Sequence, residues 1–294
     1  IHRSREDGPY PVKKAIATIL ESTDELFASL PTGAVWLGVG IAIPGVVETE
    51  LGFIRKAPNL GWIDVPFGQL MTDSLCAHIG VCPTVVLGND ANLGAVAEFV
   101  RGAATATSSV VYLSGDVGVG GGVVLGGKVL AGGSGFAGEL GHMVVNPTGE
   151  PCNCGSRGCW ETEVGRDAIF SAVGFLPGQG SFSDLVAESL TELTDIKRAL
   201  SGVGEWVGVG LVNLMNSIDP NYIVLGGHLA EIYPYISEVV DARIDQSRPN
   251  TQTRAHISLP SLLLNSPLAG AAEAAFGPLL SDPLHEMDRA FVLI

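Results

Sequence analysis

Positive charge is scarce in this chain. Lys and Arg number 16 against 31 Asp and Glu, a formal net charge of −15 over 294 residues. A surface that acidic repels phosphate backbones, so the chain by itself is expected to be a poor nucleic-acid binder, and any DNA contact to come from a segment outside it. Long apolar runs are missing too. Residues 110–113 and 117–125 are short and broken by Gly or Asp, far from the roughly 20 residues that span a bilayer. The opening residues Ile1 to Asp7 hold no apolar core of an export signal, and no Met begins the chain, which is expected to be part of a longer protein. Cysteines are five, an odd number. Reduced thiols and a cytoplasmic location are therefore expected, with Cys76 and Cys82 as buried core residues.

What is plentiful is glycine, 39 residues, with 17 Pro and a hydrophobic content of 46%. There is no collagen-like period, and the apolar content is too high for disorder. The length suggests about two domains, or one bilobal unit with a full core. Apolar spacing predicts a helix over 12–30, and the continuous apolar run 34–43 reads as a strand buried on both faces. A second such run, 84–87, is followed by a turn at Gly88-Asn89-Asp90 and a helix over 91–100. Strand, turn and helix in that order are the grammar of an α/β fold. A hairpin follows over 110–130, then a Gly- and Cys-rich loop over 132–159. Helices are expected over 163–173, 182–200, 205–217 and 268–280, and a buried strand over 222–225.

Within the loop, Cys152, Cys154 and Cys159 form a Cys-x-Cys-x4-Cys pattern preceded by His142. One imidazole and three thiolates are the ligand set of a closed tetrahedral zinc site, structural because the protein fills all four positions. The bland alternatives are three reduced thiols, or one disulfide with a spare Cys. Asn89 and Asp90 also have a plain reading as helix caps. Glu139 reads as a solvated loop carboxylate, and Glu161 as a first-turn residue favoured by the helix dipole.

Glu139-Leu140-Gly141-His142 followed by the stretch 152–161 resembles the signature of the ROK family of repressors, open reading frames and sugar kinases. Supporting matches are 43–47, 57–62, 89–92, 118–122 and 223–227. They run in family order over nearly the whole chain. The resemblance implies an α/β, actin-like (ribonuclease-H-like) two-lobed fold with a sugar in the cleft. The first lobe would span 1–88, lacking its first strands and rejoined by 284–294. The second, 89–283, would carry the zinc loop 139–161 and the dimerisation helices. Sugar contacts would fall on Asn89, Asp90, Glu139, His142 and Glu161. His142 would hold zinc through one ring nitrogen and face the sugar with the other. In a kinase member Asp90 would be the catalytic base, with Mg-ATP at Gly118, Gly120, Gly226 and Gly227.

Two departures from the kinase pattern turn the reading. No Asp-x-Gly-Gly-Thr phosphate loop precedes residue 16. Where kinases carry Gly-Thr-Gly, this chain has Asp116-Val117-Gly118. Val117 has no hydroxyl to donate, and Asp116 puts negative charge where phosphates would sit. The glycines that follow have a plain reading as a tight hairpin turn. The wording of 111–122 and of Ser281-Asp282-Pro283 resembles the family's repressors more than its glucokinases. The leading expectation is the effector-binding and dimerisation region of a sugar-responsive repressor. It would bind a sugar or sugar phosphate, form a homodimer or tetramer, and reach operator DNA through an upstream winged helix-turn-helix. The runner-up is an ATP-dependent hexose or N-acetylhexosamine kinase, and the third is a zinc scaffold without ligand. The apolar stripe Val207, Leu211, Leu214 and Met215 is a candidate dimer face, with ordinary core as its plain reading.

Overall fold

The computed structural model describes residues 9–31, 33–115, 118–133, 135–175, 193–247, 254–262, 265–283 and 291–292. The chain forms two compact units, Ile1–Leu93 with Pro267–Ile294, and Gly94–Ser266.

In the first unit, α1 (Val12–Ser29) lays Val12, Ala15, Ile16, Ile19 and Leu20 on the core. The apolar run after it is two strands, β1 (Val35–Trp36) and β2 (Gly38–Ile43), where one was expected. The Trp36 indole donates to the Gly38 carbonyl (3.0 Å), and the two strands belong to different sheets. Residues 46–79, for which the sequence set no expectation, form a three-stranded antiparallel sheet and a helix. The strands are β3 (Val46–Glu48), β4 (Phe53–Ala57) and β5 (Trp62–Val65), and the helix is α2 (Phe67–Ile79). Phe67, Met71 and Leu75, spaced four apart, bury α2 against Ile54 and Trp62. β6 (Thr84–Asn89) pairs parallel with β2 and runs straight into α3 (Asp90–Val100).

One expectation for this unit is corrected. Cys76 and Cys82 are not buried core thiols but a disulfide, and Cys82 is exposed. The core face of α2 is already taken by Phe67, Met71 and Leu75, leaving Cys76 on the flank. Gly80, with φ 82°, then turns the chain back so that the two Cα atoms lie 4.5 Å apart.

The second unit is built on a five-stranded sheet. β7 (Ser109–Gly115) and β8 (Val119–Leu125) form an antiparallel hairpin, extended by β9 (Lys128–Val129). β8 takes in Gly120, Gly121 and Gly122, so the hairpin over 110–130 holds while the plain reading of these glycines as a tight turn does not. Two short helices, α4 (Trp160–Val164) and α5 (Arg166–Ala172), take the place of one expected helix, the break falling at Gly165. α6 (Leu193–Ser217) is a single helix through Gly202 and Gly204, where two were expected. The part of that expectation over 182–192 lies outside the described residues, as do Asp116 and Val117. β10 (Tyr222–Gly227) pairs parallel with β7 and is followed by α7 (His228–Ser247). β11 (His256–Ser258) adds a parallel edge strand. Asn221 sets the register: its side-chain oxygen accepts from both Ser108 and Ser109 hydroxyls at 2.7 and 3.0 Å.

The stripe Val207, Leu211, Leu214 and Met215 is fully buried in this unit's core, so it is not a dimer face. Its partners include Trp160 and the α7 residues Ile232, Ile236 and Val240. The chain then returns to the first unit through α8 (Ser266–Ser281), and β12 (Phe291–Val292) pairs antiparallel with β1.

Trp160 anchors the second unit. Its ring is wholly buried, its Nε1 donates to the Trp206 carbonyl at 2.8 Å, and the absent Cβ of Gly210 is what makes room for the indole. Ala at position 210 gains about 1 kcal/mol of helix propensity. It also meets a ring that a hydrogen bond holds in place, and overpacking of that kind costs about 1–3 kcal/mol or more. We expect Gly210→Ala to be destabilising by about 1–2 kcal/mol on balance in urea unfolding. An unchanged or raised midpoint would show that the indole can move aside.

Candidate functional site

In the first unit, Asn89 ends β6 and Asp90 begins α3. The Asn89 side-chain oxygen accepts from the Asn92 N–H (2.9 Å), the Asp90 carboxylate accepts from the Ala91 N–H (2.8 Å), and the Asn89 amide donates to the Gly45 carbonyl (3.0 Å). The capping role is therefore real, and it fixes both side chains at a strand-to-helix junction. Gly45 is pressed against the Lys56 carbonyl and Ala57 of β4 with no room for a Cβ, and that packing sets the carbonyl that Asn89 uses.

In the second unit, the short 3₁₀ turn Leu140–His142 lies across β8. A Cβ on Gly141 would collide with the Val119 carbonyl, and one on Gly121 would meet Leu140. Glycine at both places lets the turn sit on the strand, which sets the positions of Glu139 and His142. Beyond it the chain makes a loop that closes on itself. Val145 and Asn146 N–H both donate to the Gly158 carbonyl (3.0 and 3.1 Å), and Trp160 N–H donates to the Met143 carbonyl (2.8 Å). Gly158 has φ 69°, and no side chain would fit there against the Asn146 carbonyl. The Asn146 amide donates in turn to Glu163 of α4 at 2.9 Å. That tie between loop and helix has no mark in the sequence pattern and was not anticipated.

Inside this loop His142, Cys152, Cys154 and Cys159 come together, with one ligand atom from each within 4.8 Å of all the others. Cys154 Sγ lies 3.6 Å from Cys159 Sγ, and Cys152 Sγ lies 3.7 Å from His142 Nδ1. A tetrahedral ion with bonds of about 2.3 Å to sulfur and about 2.0 Å to nitrogen needs ligand edges of about 3.5–3.8 Å. The four residues fit such an ion. Burial pushes the Cys152 and Cys159 thiols up, whereas the Ser156 N–H lowers Cys154, which is exposed.

Glu161, in the first turn of α4, reaches the same cluster. One of its oxygens accepts from the Cys152 thiol at 3.0 Å and lies 3.4 Å from His142 Nδ1, while the other faces Gly118. His142 Nε2 points the opposite way, 3.7 Å from Glu139. The ring therefore has one nitrogen toward the cluster and the other toward the Glu139 carboxylate. Gly226 and Gly227 end β10. Gly227, with φ 58°, packs on the Gly115 carbonyl, and Gly226 on the Tyr112 hydroxyl. The structure thus brings Glu139, His142 and Glu161 around the cluster and places Gly118 beside Glu161. Asn89 and Asp90 belong to the other unit.

One α/β unit has a strand ending at Asn89 just before Asp90 opens α3, the other carries a Cys/His loop on a glycine-rich hairpin, and the fold matches those of solved actin-like sugar kinases. The chain belongs to the ROK family, whose model matches residues 1–276. It is 28% identical over 272 residues to the xylose repressor of Bacillus spizizenii, covering 92% of this chain and 68% of the repressor. It is 40% identical over 166 residues to the glucokinase of Thermotoga maritima, covering 56% of this chain and 48% of that enzyme. Its fold matches the ROK hexokinase of Thermus thermophilus with a TM-score of 0.70 at 26% identity, over 96% of this chain and 90% of that one. The chain spans between 50% and 68% of the length of the curated xylose repressors it matches.

Because thiols must lose their protons to bind a metal, and burial raises two of the three, metal binding releases protons and weakens as pH falls. We expect about one metal per chain by elemental analysis at pH 7.5. Affinity should drop about tenfold or more on replacing Cys159 with Ser and should decline steadily toward pH 5. Metal retained equally by the native chain and C159S would show that the cluster is not the binding site.

Proposed function

We propose that this chain is the effector-binding part of a sugar-responsive transcriptional repressor, with structural zinc on His142, Cys152, Cys154 and Cys159. The observation that carries the reading is Val117, beside Asp116, at the turn where the family's kinases have a Thr hydroxyl to offer a nucleotide phosphate. The similarity to xylose repressors supports it. Asn89, Asp90, Glu139, His142 and Glu161 supply carboxylates, an amide and an imidazole nitrogen, a set that can accept from and donate to neighbouring hydroxyls of a sugar or sugar phosphate. Zinc, when bound, would hold the His142 ring through Nδ1 and leave Nε2 for the ligand. The whole protein would work in the cytoplasm as a homodimer or tetramer. It would reach operator DNA through a winged helix-turn-helix outside this chain, and the sugar would shift the spacing of two DNA-reading heads.

A second reading is favoured by the glucokinase match. Asp90 would then accept the proton of the attacking sugar hydroxyl, and Mg-ATP would sit against Gly118, Gly120, Gly226 and Gly227.

Thermal unfolding of the zinc-loaded chain against free sugars including xylose and glucose, sugar 6-phosphates and Mg-ATP separates the two. At about 100 times Kd a ligand adds about 2.7 kcal/mol, each kcal/mol worth about 2–4 °C in a chain of this size. We expect one sugar or sugar phosphate to raise Tm by several degrees and Mg-ATP to leave it unchanged. Stabilisation by Mg-ATP, with ADP released in the presence of a sugar, would establish the kinase instead.

A further inference from the structure

Glu98 is the most completely buried charged side chain among the described residues, with a relative exposure of 0%. It stands on α3, otherwise apolar over this stretch, eight residues after Asp90. Its carboxylate collects five donors. One oxygen accepts from the Ser266 hydroxyl (2.7 Å) and the Leu262 N–H (3.3 Å). The other accepts from the Ala103 N–H (2.7 Å) and from the Ser261 N–H and hydroxyl (both 3.3 Å). A carboxylate is acceptor-only, and this one is satisfied entirely by backbone and hydroxyl donors drawn from both ends of a long sequence separation.

The identity of those donors is informative. The chain passes between its two units twice, at Leu93–Gly94 within α3 and at Ser266–Pro267 where α8 begins. Glu98 lies one turn past the first passage, and Ser266 is the residue at the second. On the other side of the same passages, Gly270 of α8 packs directly on the Leu93 carbonyl, a place where no Cβ would fit. The helix that carries Asp90 and the helix that leads back into the first unit are therefore tied at two successive levels, backbone to backbone at Leu93 and Gly270, and through a carboxylate at Glu98 and Ser266.

We propose that Glu98 is a positioning residue that fastens the first turn of α8 and the Ser261–Leu262 segment to α3, so that occupation of Asn89 and Asp90 by a sugar is transmitted along α3 to α8. The part concerning sugar rests on the binding reading given under "Proposed function"; the fastening itself does not. Glu98 touches no ligand in this scheme. Replacing it with Gln keeps the shape but puts an amide donor among donors, which leaves buried N–H or O–H groups unpaired.

Hydrogen exchange of the zinc-loaded chain tests both parts. Without sugar, Glu98→Gln should speed exchange of peptides covering 259–262 about tenfold, the effect of losing a charge-assisted bond. With saturating xylose or glucose, whichever raises Tm, the native chain should slow exchange at both 91–95 and 270–275. In Glu98→Gln the slowing at 91–95 should persist, with sugar affinity within about threefold of the native value, and the slowing at 270–275 should fall to less than half, the remainder passing through the Leu93–Gly270 contact. If E98Q does not fold, Ser266→Ala, which removes one of the five donors, should reduce the remote slowing and leave the local one. Equal slowing at both ends in these variants would overturn the proposal. So would unchanged exchange at 259–262 in the absence of sugar. If no sugar slows 91–95 in the native chain, the binding reading fails and the transmission with it, while the sugar-free comparison still decides the fastening.

Discussion

The backbone contact between the Leu140–His142 turn and β8 governs the rest of the second unit. Val119 presents its carbonyl to Gly141, and Gly121 leaves the space that Leu140 fills. Any side chain at either glycine would lift the turn off the strand by at least the width of a methyl group. His142 would then no longer lie 3.7 Å from Cys152, and the loop behind it could not close on Gly158. Part of the chain's abundant glycine thus serves places where backbone approaches backbone, here Gly141 against Val119 and Gly158 against Asn146. β8 pays for this with three strand positions that have no side chain to pack, a cost offset by its pairing along the full length of β7.

The loop beyond that contact has little to hold it in place except chemistry. From residue 147 to 157 only Cys152 is buried, and the composition is Pro, Thr, Gly, Asn, Ser and Cys, with two charged residues. Such a segment cannot bury enough apolar surface to offset the entropy of ordering it. Its order comes from the Gly158 and Asn146 bonds, from Glu163, and from the fully buried Trp160 immediately after Cys159. A metal on the four ligands would add a further cross-link between the turn carrying His142 and the helix carrying Glu161. The two thiols that burial pushes up, Cys152 and Cys159, have the strongest reason to be paired with a cation rather than left as isolated thiolates.

The periodic and the chemically dense parts of the fold were legible before any coordinates. α1, β6 with α3, the β7–β8 hairpin and β10 fall where apolar spacing places them, and the candidate metal ligands stand out because three Cys and a His so close in sequence have few other uses. The failures have physical causes. The run 34–43 is uniformly apolar, so nothing in it marks the break at Leu37, where the chain leaves the sheet shared with β12 and enters the one shared with β6. Val207, Leu211, Leu214 and Met215 form a stripe whose spacing is the same for a core face as for a dimer face, and only packing against Trp160 and α7 distinguishes the two. Cys76 and Cys82 lie in an apolar neighbourhood by sequence, but helical geometry turns Cys76 away from the core face and Gly80 brings Cys82 back beside it. Glu98 is a single carboxylate in an apolar helix, and its five donors come from two segments, one of them more than 160 residues away.

On the binding reading proposed above, the difference between a sensor and an enzyme would lie away from Asp90. Its carboxylate accepts from the Ala91 N–H of its own helix. A carboxylate so placed could accept a hydrogen bond from a sugar hydroxyl with no phosphoryl group beside it. Accepting the bond is binding; completing the proton transfer requires that the hydroxyl oxygen gain an electrophile at the same moment. In a kinase that step needs donors that neutralise charge on the phosphoryl group as it develops. By sequence, this chain has Asp116 and Val117, a negative charge and an apolar side chain, where the family's kinases carry Gly and Thr. On that reading Asn89 and Asp90 would be retained while the phosphate donors would be lost, and a kinase scaffold would become a ligand sensor through a change in one short segment.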